Sequence, residues 1–158
     1  MAEHRLEYQV SLEWRVVFDR AALWFQPGDV LMARILIVDD EEMDRVLLAE
    51  VLSAVGHEPL FADDGRNALE IWRESHVDLV VTDMVMPELD GLGLLKAMQA
   101  EDPDVRVIAI SGTTAKGLNK AGLLGARAIL TKPVDPAELI DEIQRALDDA
   151  PPREYPGL

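Results

Sequence analysis

Five short runs of aliphatic and β-branched residues, each closed by polar residues and most followed by a stretch with helical spacing, leave few folds open to this chain. The runs lie at residues 34–38, 60–62, 78–82, 105–110 and 128–130. They end in Asp39-Asp40, Asp63-Asp64, Asp83, Ser111 and Thr131-Lys132-Pro133. Three of them are almost continuously apolar, the mark of a strand covered on both faces, so helices must pack on both sides of one parallel sheet. The helical stretches fit that role. Residues 43–55 carry Leu48, Val51, Leu52 and Val55 on one face, and Gly56 is placed to end them. A turn at Asp63-Asp64-Gly65 leads into a helix with Ala68, Leu69, Ile71 and Trp72. Residues 92–100 carry Leu92, Leu95 and Met98 inward before Asp102-Pro103 stops them. A weaker helix is expected at 114–124, where Gly117 and Gly122 each cost about 1 kcal/mol relative to Ala. The last helix starts at Pro136, a favourable first-turn residue, and carries Leu139, Ile140, Ile143 and Leu147. Right-handed crossovers then favour an α/β, flavodoxin-like, doubly wound sheet of five parallel strands in the order 2-1-3-4-5, with the first and third strands adjacent.

Residues 1–33 fit this pattern poorly. Tyr8, Val10, Leu12, Trp14, Val16 and Phe18 alternate with polar residues as in a half-buried strand, while Leu6, Val10, Trp14, Val17, Ala21 and Trp24 draw a helical stripe through the same stretch. Two readings stand side by side: an extension that supplies a partner-binding or dimerising strand, and a translated upstream stretch without a role. The domain itself is expected at 34–149, with a Pro-rich tail at 150–158.

A formal net charge of −15 sets this surface against direct contact with nucleic acid, whose phosphates attract Lys/Arg clusters. The absence of cysteine excludes disulfides and thiolate chemistry. No apolar run approaches the ~18 residues of a membrane span, and nothing resembles a signal peptide. The expectation is a soluble, cytoplasmic protein. His4, His57 and His76 are too scattered for a metal site and are expected at the surface, as are the acidic pairs Asp141-Glu142 and Asp148-Asp149.

The functional residues follow from the topology. In open doubly wound sheets, ligands bind outside the carboxyl ends of the strands, at the point where the strand order reverses. There Asp39 and Asp40 would stand beside Asp83. Three converging carboxylates repel one another unless a cation lies among them, and Mg²⁺ suits a site of one or two carboxylates plus waters. Ser111 and Lys132 reach the same rim from the fourth and fifth strands with a hydroxyl and a fixed positive charge. A carboxylate, a metal, a hydroxyl and an ammonium together suit a phosphoryl group attacked in line by a carboxylate.

Four segments carry a resemblance: Ile35-Leu36-Ile37-Val38-Asp39-Asp40-Glu41, Val81-Thr82-Asp83-Met84-Val85-Met86-Pro87-Glu88-Leu89-Asp90-Gly91, Ile110-Ser111-Gly112 and Leu130-Thr131-Lys132-Pro133. In this order they resemble the signature segments of the response-regulator receiver domain of two-component signalling. The resemblance implies that Asp83 accepts a phosphoryl group from the phosphohistidine of a sensor histidine kinase or phosphotransfer protein. It implies that Asp40, Asp83 and the backbone carbonyl of Val85 bind Mg²⁺ directly, with Asp39 acting through water, that Ser111 and Lys132 bind the phosphoryl oxygens, and that the Lys132-Pro133 bond is cis. Two departures are visible. Ile129 occupies a switch position that is usually aromatic, and the segment from Ser111 to Lys132 is about one residue short. With only a short tail after the domain, output is expected by docking to a downstream protein, and self-phosphorylation and self-dephosphorylation are the only chemistry expected. The alternatives are a phosphate-independent scaffold, which a damaged site would mark, and an aspartyl phosphatase, which needs a second Asp where Val85 stands.

Overall fold

A computed structural model describes residues 32–112 and 125–148. The expected extension up to residue 31, the helix at 114–124 and the tail from residue 150 lie outside the described residues. Five parallel strands, β1 (Arg34–Val38), β2 (Glu58–Ala62), β3 (Leu79–Asp83), β4 (Val107–Ser111) and β5 (Ala128–Thr131), form one sheet in the order β2-β1-β3-β4-β5. The expected topology holds. The described helices are α1 (Glu42–Ala54), α2 (Gly65–Glu74), α3 (Gly91–Glu101) and α4 (Pro136–Leu147).

The period-two alternation of strand side chains divides the core into two layers. Ile35, Ile37, Leu79, Val81, Ile108, Ile110, Ala128 and Leu130 point to one face, where Leu48, Val51 and Leu52 of α1 and Leu139, Ile140 and Ile143 of α4 cover them. The intervening residues Leu36, Val38, Val80, Val107, Ala109 and Ile129 point to the other face, under Ala68 of α2 and Leu94, Leu95 and Met98 of α3. Helices α2, α3 and α4 start at Asp caps. The carboxylates of Asp64, Asp90 and Asp135 accept from the amides of Asn67, Gly93 and Ala137 at 2.7 to 2.8 Å, satisfying donors that a helix N-terminus leaves open.

Four details differ from the sequence reading. Strand β2 begins at Glu58 and includes Pro59, which a strand tolerates at the edge of a sheet. In α3 the inward stripe runs through Gly91, Leu94, Leu95 and Met98, so Leu94 takes the core position expected for Leu92, which is half-buried. His57 is buried, not at the surface. Its Nδ1 accepts the amide N–H of Ala33 at 3.3 Å, which satisfies a backbone donor just before β1, and burial pushes its pKa below the ordinary histidine value despite nearby Asp78. Glu142 is also buried, on the inner side of α4 one residue before Ile143, with Arg145 a turn away at 3.7 Å.

Candidate functional site

The alternation that builds the core also builds the site. Ile37, Val81 and Leu130 face α1 and α4. Two residues further along β1, β3 and β5, the same parity carries Asp39, Asp83 and Lys132 toward α1 at the carboxyl edge. Ala109 faces the other layer, so Ser111 ends β4 with the opposite parity. It is buried, lies opposite Thr131 in the sheet, and its carbonyl accepts the Lys132 amide at 2.9 Å.

Asp39 is held from four directions. Its amide donates to the Ala62 carbonyl at 3.2 Å, its carbonyl accepts from Arg45 Nη1 at 2.7 Å, its Oδ1 accepts from the Glu41 amide at 2.9 Å, and its Oδ2 accepts from Lys132 Nζ at 3.1 Å. Burial raises its pKa above the ordinary carboxylate value and nearby Asp83 adds to the rise, outweighing the Glu41 amide and Lys132. Asp83 is fixed by the Val85 amide, which donates to Oδ1 at 3.0 Å, and by Lys132 Nζ, which donates to Oδ2 at 3.0 Å. Just beyond it, the chain turns tightly. A Cβ on Gly91 would lie 2.3 Å from the Asp83 carbonyl, so only glycine lets the start of α3 approach the end of β3 so closely.

One carboxylate oxygen from each of Asp39, Asp40 and Asp83 lies within 4.8 Å of the others. Asp39 and Asp83 are buried and Asp40 is exposed, so the trio opens to solvent on one side. This all-oxygen donor set fits a hard divalent cation such as Mg²⁺, which keeps several waters of its own. Val85, expected to offer its carbonyl, contributes its amide to Asp83, and its side chain is exposed.

Lys132 stands across from this trio. Its ammonium has three protons and three carboxylate partners: Asp39 and Asp83, and Asp44 of α1 at 2.7 Å. Burial works against the charged form, but the three hydrogen bonds outweigh it and hold the pKa above the ordinary lysine value. The Lys132–Pro133 peptide bond is cis. A cleft of about 430 Å³ runs alongside, with Asp39, Asp44 and Lys132 at its polar end and Leu47, Leu48, Ile110 and Val134 along its apolar wall.

The sequence-predicted residues Asp39, Asp40, Asp83, Ser111 and Lys132 thus come together at the carboxyl ends of four strands. Asp44 and Arg45 were not among them. A signal existed: both sit one helical turn after Asp40-Glu41, on the turn of α1 nearest the strand ends.

The chain matches the family model of the response regulator receiver domain over residues 35–144. It is 34% identical over 117 residues to the response regulator receiver protein CpdR of Brucella abortus, covering 73% of this chain and 98% of that protein. It is 37% identical over 118 residues to sporulation initiation phosphotransferase F of Bacillus subtilis, covering 72% and 93%. Other relatives are longer: the match to the probable transcriptional regulator ycf27 of Porphyridium aerugineum covers 72% of this chain and only 48% of that protein. Among solved structures, a response regulator receiver domain protein from Clostridium thermocellum superposes with a TM-score of 0.72 at 31% identity, covering 75% of this chain and 96% of that one.

Proposed function

This chain belongs to the response regulator receiver domain family, and from that premise we propose that it accepts a phosphoryl group on Asp83 from the phosphohistidine of a sensor histidine kinase or phosphotransfer protein and signals by docking to a downstream protein. The observation that carries the reading is the arrangement around Asp83. A buried carboxylate has one oxygen on a backbone amide, the other on a lysine, and two further carboxylates within cation-sharing distance.

The transfer follows from these groups. A carboxylate oxygen of Asp83 forms a bond to phosphorus as the bond from phosphorus to the imidazole nitrogen breaks, and the electron pair stays on that nitrogen. The Val85 amide and Lys132 hold the carboxylate in one orientation, so little motion is needed before attack. Lys132 places a fixed positive charge where negative charge gathers on the phosphoryl oxygens, and Ser111 at the end of β4 supplies a hydroxyl. Asp39, Asp40 and Asp83 would hold Mg²⁺, with the Val85 carbonyl as a further ligand; when bound, the ion offsets the charge of the carboxylates and of the phosphoryl group.

Output by docking is supported by the acidic balance of the chain, which favours protein over nucleic acid as the partner. Ile129 has neither ring nor hydroxyl and packs as a core residue on the α2 and α3 side. A change at Ser111 must therefore reach the surface through packing and not through an aromatic side chain that swings inward. Among the described residues no helix is long and apolar enough to cross a membrane. The proposed chemistry is limited to phosphorylation and dephosphorylation of Asp83 itself.

Intact mass after incubation with Mg²⁺ and acetyl phosphate tests the proposal. A phosphoryl-sized gain in the native chain, absent from Asp83→Asn and absent without Mg²⁺, is expected. A folded protein that gains no mass overturns it and favours a phosphate-independent scaffold.

A further inference from the structure

Lys132 is shared among three carboxylates, but the three are not equivalent. Asp39 and Asp83 belong to the trio that can share a cation; Asp44 does not, and it makes the shortest of the three contacts, at 2.7 Å against 3.0 and 3.1 Å. When a cation and a phosphoryl group engage Asp39 and Asp83, Asp44 is the one partner left to hold the ammonium. One of the three Lys132 protons, and much of its field, then remains committed to a carboxylate on α1.

The formal charge of the site shows the consequence. Four carboxylates stand against the Lys132 ammonium and the Arg45 guanidinium, leaving two net negative charges; a divalent cation offsets these, and Asp44 is the carboxylate whose removal makes the site positive without taking a ligand from that cation. An anionic phosphoryl donor therefore meets a site with no net positive charge to draw it in. Small donors have nothing else to draw them in. A protein donor brings binding energy from the rest of its interface.

We infer that Asp44 is a specificity-determining positioning residue, which acts through Lys132 to hold back phosphorylation of Asp83 by small anionic phosphodonors. The inference rests on the proposed phosphoryl transfer and adds a regulator to the same site. With acetyl phosphate the step is balanced as above: the Asp83 oxygen bonds to phosphorus as the bond from phosphorus to the acetate oxygen breaks, and acetate leaves with the electron pair.

The test compares rates of mass gain in Mg²⁺ for the native chain, Asp44→Asn, Asp44→Glu and Asp63→Asn, with urea midpoints to establish that each is folded. Asp63 is exposed at the same edge of the sheet, after β2, and its carboxylate accepts from Asn67, so its replacement removes one nearby charge without touching Lys132. Asp44→Asn is expected to be phosphorylated about tenfold faster than the native chain by acetyl phosphate, a dianion, and to gain less with phosphoramidate, a monoanion near neutral pH, since the attraction gained scales with donor charge. Asp44→Glu should return to the native rate, and Asp63→Asn should stay within about twofold of it. Equal rates for Asp44→Asn and the native chain, or a rate for Asp44→Glu as high as that of Asp44→Asn, would overturn the inference while leaving Asp83 as acceptor. Absence of mass gain in every variant overturns the phosphoryl-transfer reading and this inference with it.

Discussion

Replacing Lys132 by Met tests the electrostatics on which the site depends. The substitution keeps much of the aliphatic stem and deletes the ammonium, leaving Asp39, Asp44 and Asp83 without their shared cation. Removing one partner of a fully buried ion pair costs about 3–5 kcal/mol, because the charge left behind is uncompensated. Here the discount is uneven. The side chains of Asp39 and Asp83 are 1% and 9% exposed, but those of Lys132 and Asp44 are 26% and 32% exposed, so water reaches the lysine side of the cluster. The expected loss is therefore about 2 kcal/mol in the absence of divalent cations. Urea unfolding in a chelator measures it, as a lower midpoint with an unchanged slope. A second arm distinguishes this cause from lost packing. Lys132 and a divalent cation compete for Asp39 and Asp83, so Mg²⁺ should stabilise the Met variant more than the native chain. At a concentration of one hundred times its dissociation constant, a bound ion stabilises the folded state by about 2.7 kcal/mol, enough to offset the loss. A variant as stable as the native chain in chelator, or one that gains no more from Mg²⁺, would refute the view that Lys132 neutralises these carboxylates.

Three further outcomes are expected. Asp39→Asn should stabilise the cation-free protein, on the order of 1 kcal/mol in urea unfolding, because burial already disfavours this carboxylate's charged form; it should also weaken the response to Mg²⁺. Gly91→Ala drives a Cβ against the Asp83 carbonyl and the Met84 backbone, so a loss of about 1–3 kcal/mol is expected, and an unchanged thermal midpoint would contradict the close approach. His57 is held neutral in the folded state, with its pKa below the ordinary 6.5. Its contribution is therefore fully present above about pH 6.5 and lost as pH falls from there through the lower folded-state value, at up to about 1.4 kcal/mol per pH unit. Urea midpoints at pH 7.5 and 5.5 should fall further for the native chain than for His57→Gln, and equal falls would remove His57 as the cause.

Much of this architecture was written in the order of residues along the chain. Near-continuous apolar runs at β1, β3 and β4 could be buried only between two layers of helices, and handedness then left the strand order 2-1-3-4-5 as the natural solution. Polar residues placed at the ends of such strands have one edge of the sheet to occupy. That is why the sequence alone assigns Asp39, Asp40, Asp83, Ser111 and Lys132 to a shared site. Periodicity was less secure for α3, because Leu92, Leu94 and Leu95 are close enough in sequence that the inward stripe could be drawn through either Leu92 or Leu94.

The tertiary structure decided which charges are buried and what each one touches. The spacing of hydrophobic residues reports a side chain's own preference, whereas the cost of burying a charge depends on partners that the chain brings from far away. His57 is buried because an amide 24 residues earlier needs an acceptor. Lys132 carries its full charge because carboxylates 88, 49 and 93 residues away surround it. The part of Asp44 in that arrangement exists only once α1 has packed across the sheet, so the sequence determined the framework and the strand-end carboxylates, and the fold determined the charges that surround them.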